Sequence, residues 1–496
     1  MYTLDHSNTR ADAIAVANGR IIAVGTREQV EALAGPATVR TDLGGRTVIP
    51  GLIDSHNHLG WHGISATRCA DLSGSESVDE VLSRLQAFGA ANPDAKWLMG
   101  QRFDQELFPR KRWPTRSDLD RLSSAVPVLI SRVCLHAVVA NTAALAPIRD
   151  RLTPEQFDTG LLTEDAAELV WSQIPSPSQG ELRRAVIWAL GEAHRAGLTG
   201  VHYIVEGRDE LRLLRELQAE GELPVRLYAQ CPVNMADGLA QEGLRTGSGD
   251  EMLRIGPMKL FMDGSMGART AAMKEPFTDD PGNRGELFRN EHELAEILRG
   301  LQVRGFQASI HAIGDLAVEC ALKGIELAME AGNVGNRLRH RIEHASQVSE
   351  SIVADFVRLN VIASIQPQFV LTDFWTHERV GEARYPWSYP FATMLREGVK
   401  LAIGSDCPVE RLDPIELIDR AVNREPRSLR ERLTVEQTIR AYSGGSAYAS
   451  FEENTKGSLE VGKLADFAVL SQDIFEVDAS EIGNTKVEEV IVGGRI

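Results

Sequence analysis

Apolar and polar positions alternate in short runs at both ends of the chain, and in longer mixed blocks between them. Near the N-terminus, AIAVANGRIIAVG reads as two strands about Asn18-Gly19, a dipeptide suited to a tight hairpin turn. Near the C-terminus, GSLEVGKLADFAVLSQDIF and VEEVIVGGRI are again short β pieces separated by Gly and Asp. Together the ends predict a small β-sandwich domain assembled from residues 1–48 and 455–496. Between them, over 49–454, apolar strands alternate with helical blocks such as ELRRAVIWALGEAHRAG (181–197) and HELAEILRGLQVRG (292–305). The predicted strands are 47–58, 199–205, 225–231, 255–264, 306–314, 339–344, 361–368 and 400–406. Eight strands with helical crossovers predict an α/β fold, a (β/α)8 TIM barrel. A doubly wound open sheet shares the alternation but carries no reason to stop at eight. Residues 60–180, between the first two strands, far exceed an ordinary βα loop. With strand-like AKWLMGQRFD and AVPVLISRV, they predict an insertion subdomain covering the active-site mouth.

Composition narrows the partners. Hydrophobic residues at 43% and charged residues at 25% of 496 are ordinary globular values. A net charge of −17 argues against nucleic acid, whose binders concentrate Lys and Arg. No apolar run approaches the ~18 residues of a membrane span, and MYTLDHSNTRADAIAV has no signal-peptide pattern. Five scattered cysteines without C-x-x-C suggest neither a disulfide framework nor a thiolate zinc site, and Cys407 reads as packing. A cytoplasmic protein that binds neither membrane nor nucleic acid is the expectation.

The chemistry begins in VIPGLIDSHNHLG (48–60). On a strand, Asp54, His56 and His58 project from one side, a poor core and a good start on a metal site. H-x-H alone is weak evidence, so the remaining strand ends decide, because barrel chemistry sits at the C-terminal ends of strands. Strand four carries Lys259, strand five His311, strand six His344 and strand eight Asp406. Singly, a His is ordinarily a satisfied core residue and an Asp before Cys-Pro a turn residue. An unpaired buried Lys is harder to explain. The bland readings would have to hold together at every position, which makes one shared site the better reading.

PGLIDSHNH, the strand-four Lys, IHAIGD, RIEHA and IGSD resemble the metal signature of the amidohydrolase superfamily. KLFMDGSMGARTA (259–271), HAVVANTAAL (136–145) and GSLEVGKLADFAVL (457–470) resemble its amidohydrolase 3 or YtcJ-like branch, which includes N-substituted formamide deformylases. The likeness covers essentially the whole chain. The branch normally begins one β-strand earlier and runs a few residues past VGGR, a departure that concerns the small β domain.

The resemblance implies a small-molecule amide substrate and two divalent metals, zinc by donor type. His56 and His58 would bind the more buried metal and His311 and His344 the more exposed one. Lys259, as N-carboxylysine, would bridge them. Asp406 would touch the first metal and act as general acid/base, taking a proton from the attacking water and returning it to the leaving amine. A homodimer is the family's suggestion. His202, Phe103, Asp104, Trp61, Arg269, Gln368 and Trp375 are candidates for substrate contact, each with packing as its ordinary alternative. Asp315 would orient His311 or cap a helix. Two other functions stay open: a deaminase with one metal, which needs no strand-four Lys, and a barrel that binds or regulates without catalysis.

Overall fold

The computed structural model describes residues 1–93, 95–134, 136–332, 335–424 and 426–495. Eight strands form one sheet: β1 (Leu52–Asn57), β2 (Leu198–Tyr203), β3 (Arg226–Pro232), β4 (Leu253–Phe261), β5 (Ala308–Ala312), β6 (Arg341–His344), β7 (Ile362–Ile365) and β8 (Lys400–Ile403). Each pairs in parallel with its sequence neighbours, from β8 in order to β1. Strands buried on both faces read as continuous apolar runs, as in the fully buried IASI of β7. The edges of the sheet meet: Asp406 N–H donates to His56 O at 2.8 Å, and His58 N–H to Cys407 O at 2.8 Å. The result is a TIM-barrel-like α/β fold carrying extra sheets.

Helices between the strands start and stop where their ends dictate. Asn290 closes a capping box over Glu291–Arg304, and Gly305, at φ 77°, ends it. Gln179–Ala196 and Glu291–Arg304 cover the two blocks predicted as helical.

TVIPGLIDSHNH, expected as one strand, is two. Thr47–Pro50 pairs antiparallel with Phe467–Leu470, which in turn pairs with Val487–Ile491. The break falls at Gly51, where an added Cβ would lie 2.1 Å from Thr199 Oγ1. Its amide instead donates to Asp466 O at 2.9 Å. The hairpin Ala13–Ala17/Arg20–Gly25 turns on Asn18 and Gly19, both at positive φ as a primed turn requires. Ile21 of the hairpin joins Val48, Phe467, Val469 and Ile491 of the three-stranded sheet in one apolar cluster.

The chain divides into two compact units. One is Met1–Leu59, Leu190–Asp263 and Ala271–Ile496; the other is Gly60–Ala189 with Gly264–Thr270. The second is built on a five-stranded sheet in the order Cys69–Asp71, Leu98–Phe103, Val128–Arg132, Ala137–Ala140, Leu161–Thr163. Its first two pairings are parallel and its last two antiparallel. Among the described residues, no helix is long and apolar enough to cross a membrane.

Candidate metal centre

β1 delivers His56, and His58 follows at its C-terminal end. The seam with β8 sets Asp406 against both, its Oδ1 lying 3.3 Å from His56 Nε2 and 3.4 Å from His58 Nε2. Asp54 does not join them. Its carboxylate accepts from Ser405 Oγ (2.6 Å), Asn57 Nδ2 (3.0 Å) and the amides of His56 and Ser405 (3.1 Å each), so it ties the seam together. From β4, Lys259 Nζ lies 3.4 Å from His56 Nε2. The β6 ring of His344 stands edge-on to His56 (centroids 5.0 Å apart) and to the β5 ring of His311 (4.5 Å). Ligand atoms of His56, His58 and Asp406 all lie within 4.8 Å of one another. The structure thus brings the six predicted positions into one neighbourhood, His344 linking the two groups.

Two of the six hold strained backbone. His344 (φ 71°) and Asp406 (φ 59°) are left-handed non-glycine residues, a conformation costing ~1–3 kcal/mol each that is kept where the surroundings over-determine it. Flanking hydrogen bonds do this: Ala345 N–H donates to Ala312 O at 3.0 Å, and Asp406 N–H to His56 O.

Electrostatics leave Asp406 ionised and His344 neutral. Burial opposes ionising Asp406, but the imidazoles of His56 and His58 outweigh it and hold the carboxyl well below its usual range. Burial pushes His344 down to about 3, so its imidazole is neutral, and its Nδ1 is buried without a hydrogen-bond partner. Burial lowers Lys259 to about 8, Glu343 and Asp406 pulling the other way. For His58 burial acts downward, yet Asp406 and Glu206 raise it to about 9. Imidazole nitrogens, one ionised carboxylate and an orphaned buried nitrogen form a donor set that fits a divalent metal such as zinc.

The other candidates fall elsewhere. His202 is fully buried, its Nδ1 2.8 Å from Arg341 Nη1 and its ring against Tyr228. Asp315 heads the helix Asp315–Gly332 and accepts the Lys274 amide at 2.9 Å; the carboxylate beside His311 Nε2, at 3.5 Å, belongs to Asp263. Gln368 donates to Arg411 O at 2.9 Å, and Trp375 is buried beneath the Arg379 guanidinium, 3.5 Å from the ring centroid. Cys407 is buried. In the second unit, Phe103 is core, packed edge-on to Trp113. Asp104 there caps a short 3-10 turn and pairs with Arg132 at 2.9 Å. Trp61 packs edge-on to Trp171, and Arg269, at φ 59°, follows a tight turn from Met266.

Sequence reasoning missed Glu343, whose Oε2 lies 2.7 Å from His56 Nδ1. It also missed Asp263, which accepts from the amides of Ala272, Ile313 and Gly314 at 2.8–3.0 Å. Two aromatic rings flank the histidines and were not singled out: Phe261, 37% exposed and 5.0 Å from His311, and Phe369, 6.2 Å from His344. One signal was available. Arg341 and Glu343 alternate about Ile342 on a strand that the barrel reading buries, and charges there need partners.

The model of the amidohydrolase family matches residues 41–496. YtcJ of Bacillus subtilis (strain 168) is 31% identical, covering 100% of this chain and 97% of that one. N-substituted formamide deformylase of Arthrobacter pascens is 26% identical, with coverage of 99% and 96%. The crystal structure of a metal-dependent hydrolase from Pyrococcus horikoshii OT3 superposes with a TM-score of 0.79 at 30% identity, covering 94% of this chain and 95% of that one.

Proposed function

We propose, for a chain that belongs to the amidohydrolase family and is a metal-dependent hydrolase, that it cleaves the carbon–nitrogen bond of a small non-peptide amide. An N-substituted formamide or an aryl amide is the class favoured. The observation that carries this reading is the convergence at the strand ends of His56 and His58 on Asp406 Oδ1 (3.3 and 3.4 Å), with Lys259 Nζ 3.4 Å from His56 Nε2. His56 and His58 would hold one divalent ion, His311 and His344 a second, with Lys259 between. Bound there, the ions supply Lewis acidity and hydroxide at neutral pH.

The chain's own residues supply the rest. Lys259, lowered to about 8, offers an appreciable fraction of free amine near neutrality. That nitrogen can add to the carbon of carbon dioxide: an N–C bond forms, one C=O opens to carboxylate, and the nitrogen releases a proton. A cation thereby becomes an anionic ligand. Asp406, ionised and accept-only, takes the proton of the attacking water and returns it to the leaving nitrogen. Phe261 and Phe369 give an apolar N-substituent surface to rest on, and the relative named as a formamide deformylase supports that class.

Metal content of the purified protein, beside Lys259→Ala, is the test. About two metals per chain, dropping sharply in the variant, supports the bridged pair, and a screen of formamides and aryl amides for released amine follows. One metal, unaffected by the variant, replaces this reading with a single-metal deaminase.

A further inference from the structure

Arg341 and Glu343 stand two positions apart on β6, and neither side chain has any exposed surface. Burying two charges is costly unless both are fully engaged. Here they are. Glu343 Oε1 accepts the Ser309 hydroxyl at 2.6 Å and lies 2.6 Å from Arg341 Nε. Glu343 Oε2 lies 2.7 Å from His56 Nδ1. Arg341 Nη1 meets His202 Nδ1 at 2.8 Å, and Nη2 donates to Ser55 O at 2.9 Å. Gln230 Nε2 bonds the carbonyls of Ser55 (3.3 Å) and His202 (3.0 Å), closing the network across β1, β2, β3, β5 and β6.

Packing alone does not call for this. Apolar residues of similar volume commonly replace a buried ion pair at no loss of stability. On the side of the metal centre, the network instead ends on the ring of His56. An ionised carboxylate only accepts, so the shared proton sits on His56 Nδ1. Its Nε2 is then the atom that faces Asp406 (3.3 Å) and Lys259 (3.4 Å).

We propose that Glu343 is a positioning residue that fixes the ring orientation and tautomer of His56, with Arg341 and Ser309 locking the Glu343 carboxylate. The service it performs, presenting His56 Nε2 to a metal, rests on the metal-centre reading; the tautomer does not. His202, in turn, is the anchor of Arg341.

The test compares wild type, Glu343→Gln and Ser309→Ala, using zinc as the probe. Zinc affinity is read by competition with a chromogenic chelator, and unfolding of the metal-free proteins is followed alongside. Glu343→Gln is expected to weaken zinc binding ~10–100-fold and also to lower the metal-free unfolding midpoint, because the buried Arg341 loses its counter-charge. Ser309→Ala is expected to lose less zinc affinity with little shift in unfolding. A lowered unfolding midpoint with unchanged zinc affinity would mark a merely structural role and overturn the proposal. A second measurement avoids variants that fail to fold. In metal-free wild type labelled with 15N-histidine, with His56 assigned through His56→Asn, a proton on Nδ1 is expected; a ring protonated at Nε2 alone, with Nδ1 bare, would overturn the assignment. Wild type that takes up no zinc would refute the metal-centre reading alone, leaving the tautomer to decide the role of Glu343.

Discussion

Gly404 lies at the seam where β8 meets β1, and Gly404→Ala tests whether that contact sets the metal centre. A Cβ there would sit 2.5 Å from His56 N, 2.9 Å from Asp54 Oδ1 and 2.9 Å from His56 Cβ. Ordinary contact begins at 3.4 Å, so about 0.9 Å of relief is needed against the backbone of His56. Neither neighbour yields easily: Asp54 is held by Ser405 and Asn57, and the His56 carbonyl accepts the Asp406 amide. Overpacking of this kind costs ~1–3 kcal/mol. A displacement near 1 Å at a reacting group costs ~10²-fold in rate. The assay is urea unfolding with zinc affinity and turnover, alongside Gly282→Ala, where an added Cβ meets nothing within 4 Å. Loss in all three quantities for Gly404→Ala, with the control silent, is expected. If the two variants behave alike, the seam does not position the site and the reasoning fails.

Asp406→Asn keeps an oxygen ligand but loses the proton acceptor, so zinc should remain bound while turnover falls ~10²–10⁴-fold; full activity would remove Asp406 from its role. His340 is buried, accepts the Ala308 amide at 2.9 Å, and is lowered by burial to about 4. Its folded pKa lies below the unfolded value, so its contribution is fully present above pH ~6.5 and is lost as pH falls towards 4, ~3 kcal/mol in all. His340→Asn should flatten the stability profile across that window, and an unchanged slope would assign the loss to other groups. Arg226 bonds Asp466 through two nitrogens, at 2.7 and 2.9 Å, with both side chains buried. Arg226→Met should therefore cost ~3–5 kcal/mol by leaving the carboxylate unpaired; urea unfolding near the wild-type midpoint would show water reaching it.

What the chain declared by itself is the scaffold and the six polar strand-end positions. Strand and helix periods differ, so the β/α alternation is legible locally, and metal-competent residues recurring at strand after strand have no shared bland use even though each has one singly. Tertiary structure decided what stands behind those residues. Glu343 and His56 are 287 positions apart, and nothing local to RIEHA says which ring its carboxylate will meet. Asp315 sits closer in sequence to His311 than Asp263 does, yet Asp263 is the carboxylate beside the ring, because parallel pairing of β4 with β5 brings the ends of those strands together. TVIPGLIDSHNH reads as one strand until Thr199 and Asp466 arrive at Gly51 from distant parts of the chain. Likewise Gly264–Thr270 groups with Gly60–Ala189, where Gly267 approaches Arg132 and Gly264 approaches Glu164. A residue's type and local period are properties of the chain. The partner of a buried charge is a property of packing, since only there does an unmet hydrogen bond carry its full cost.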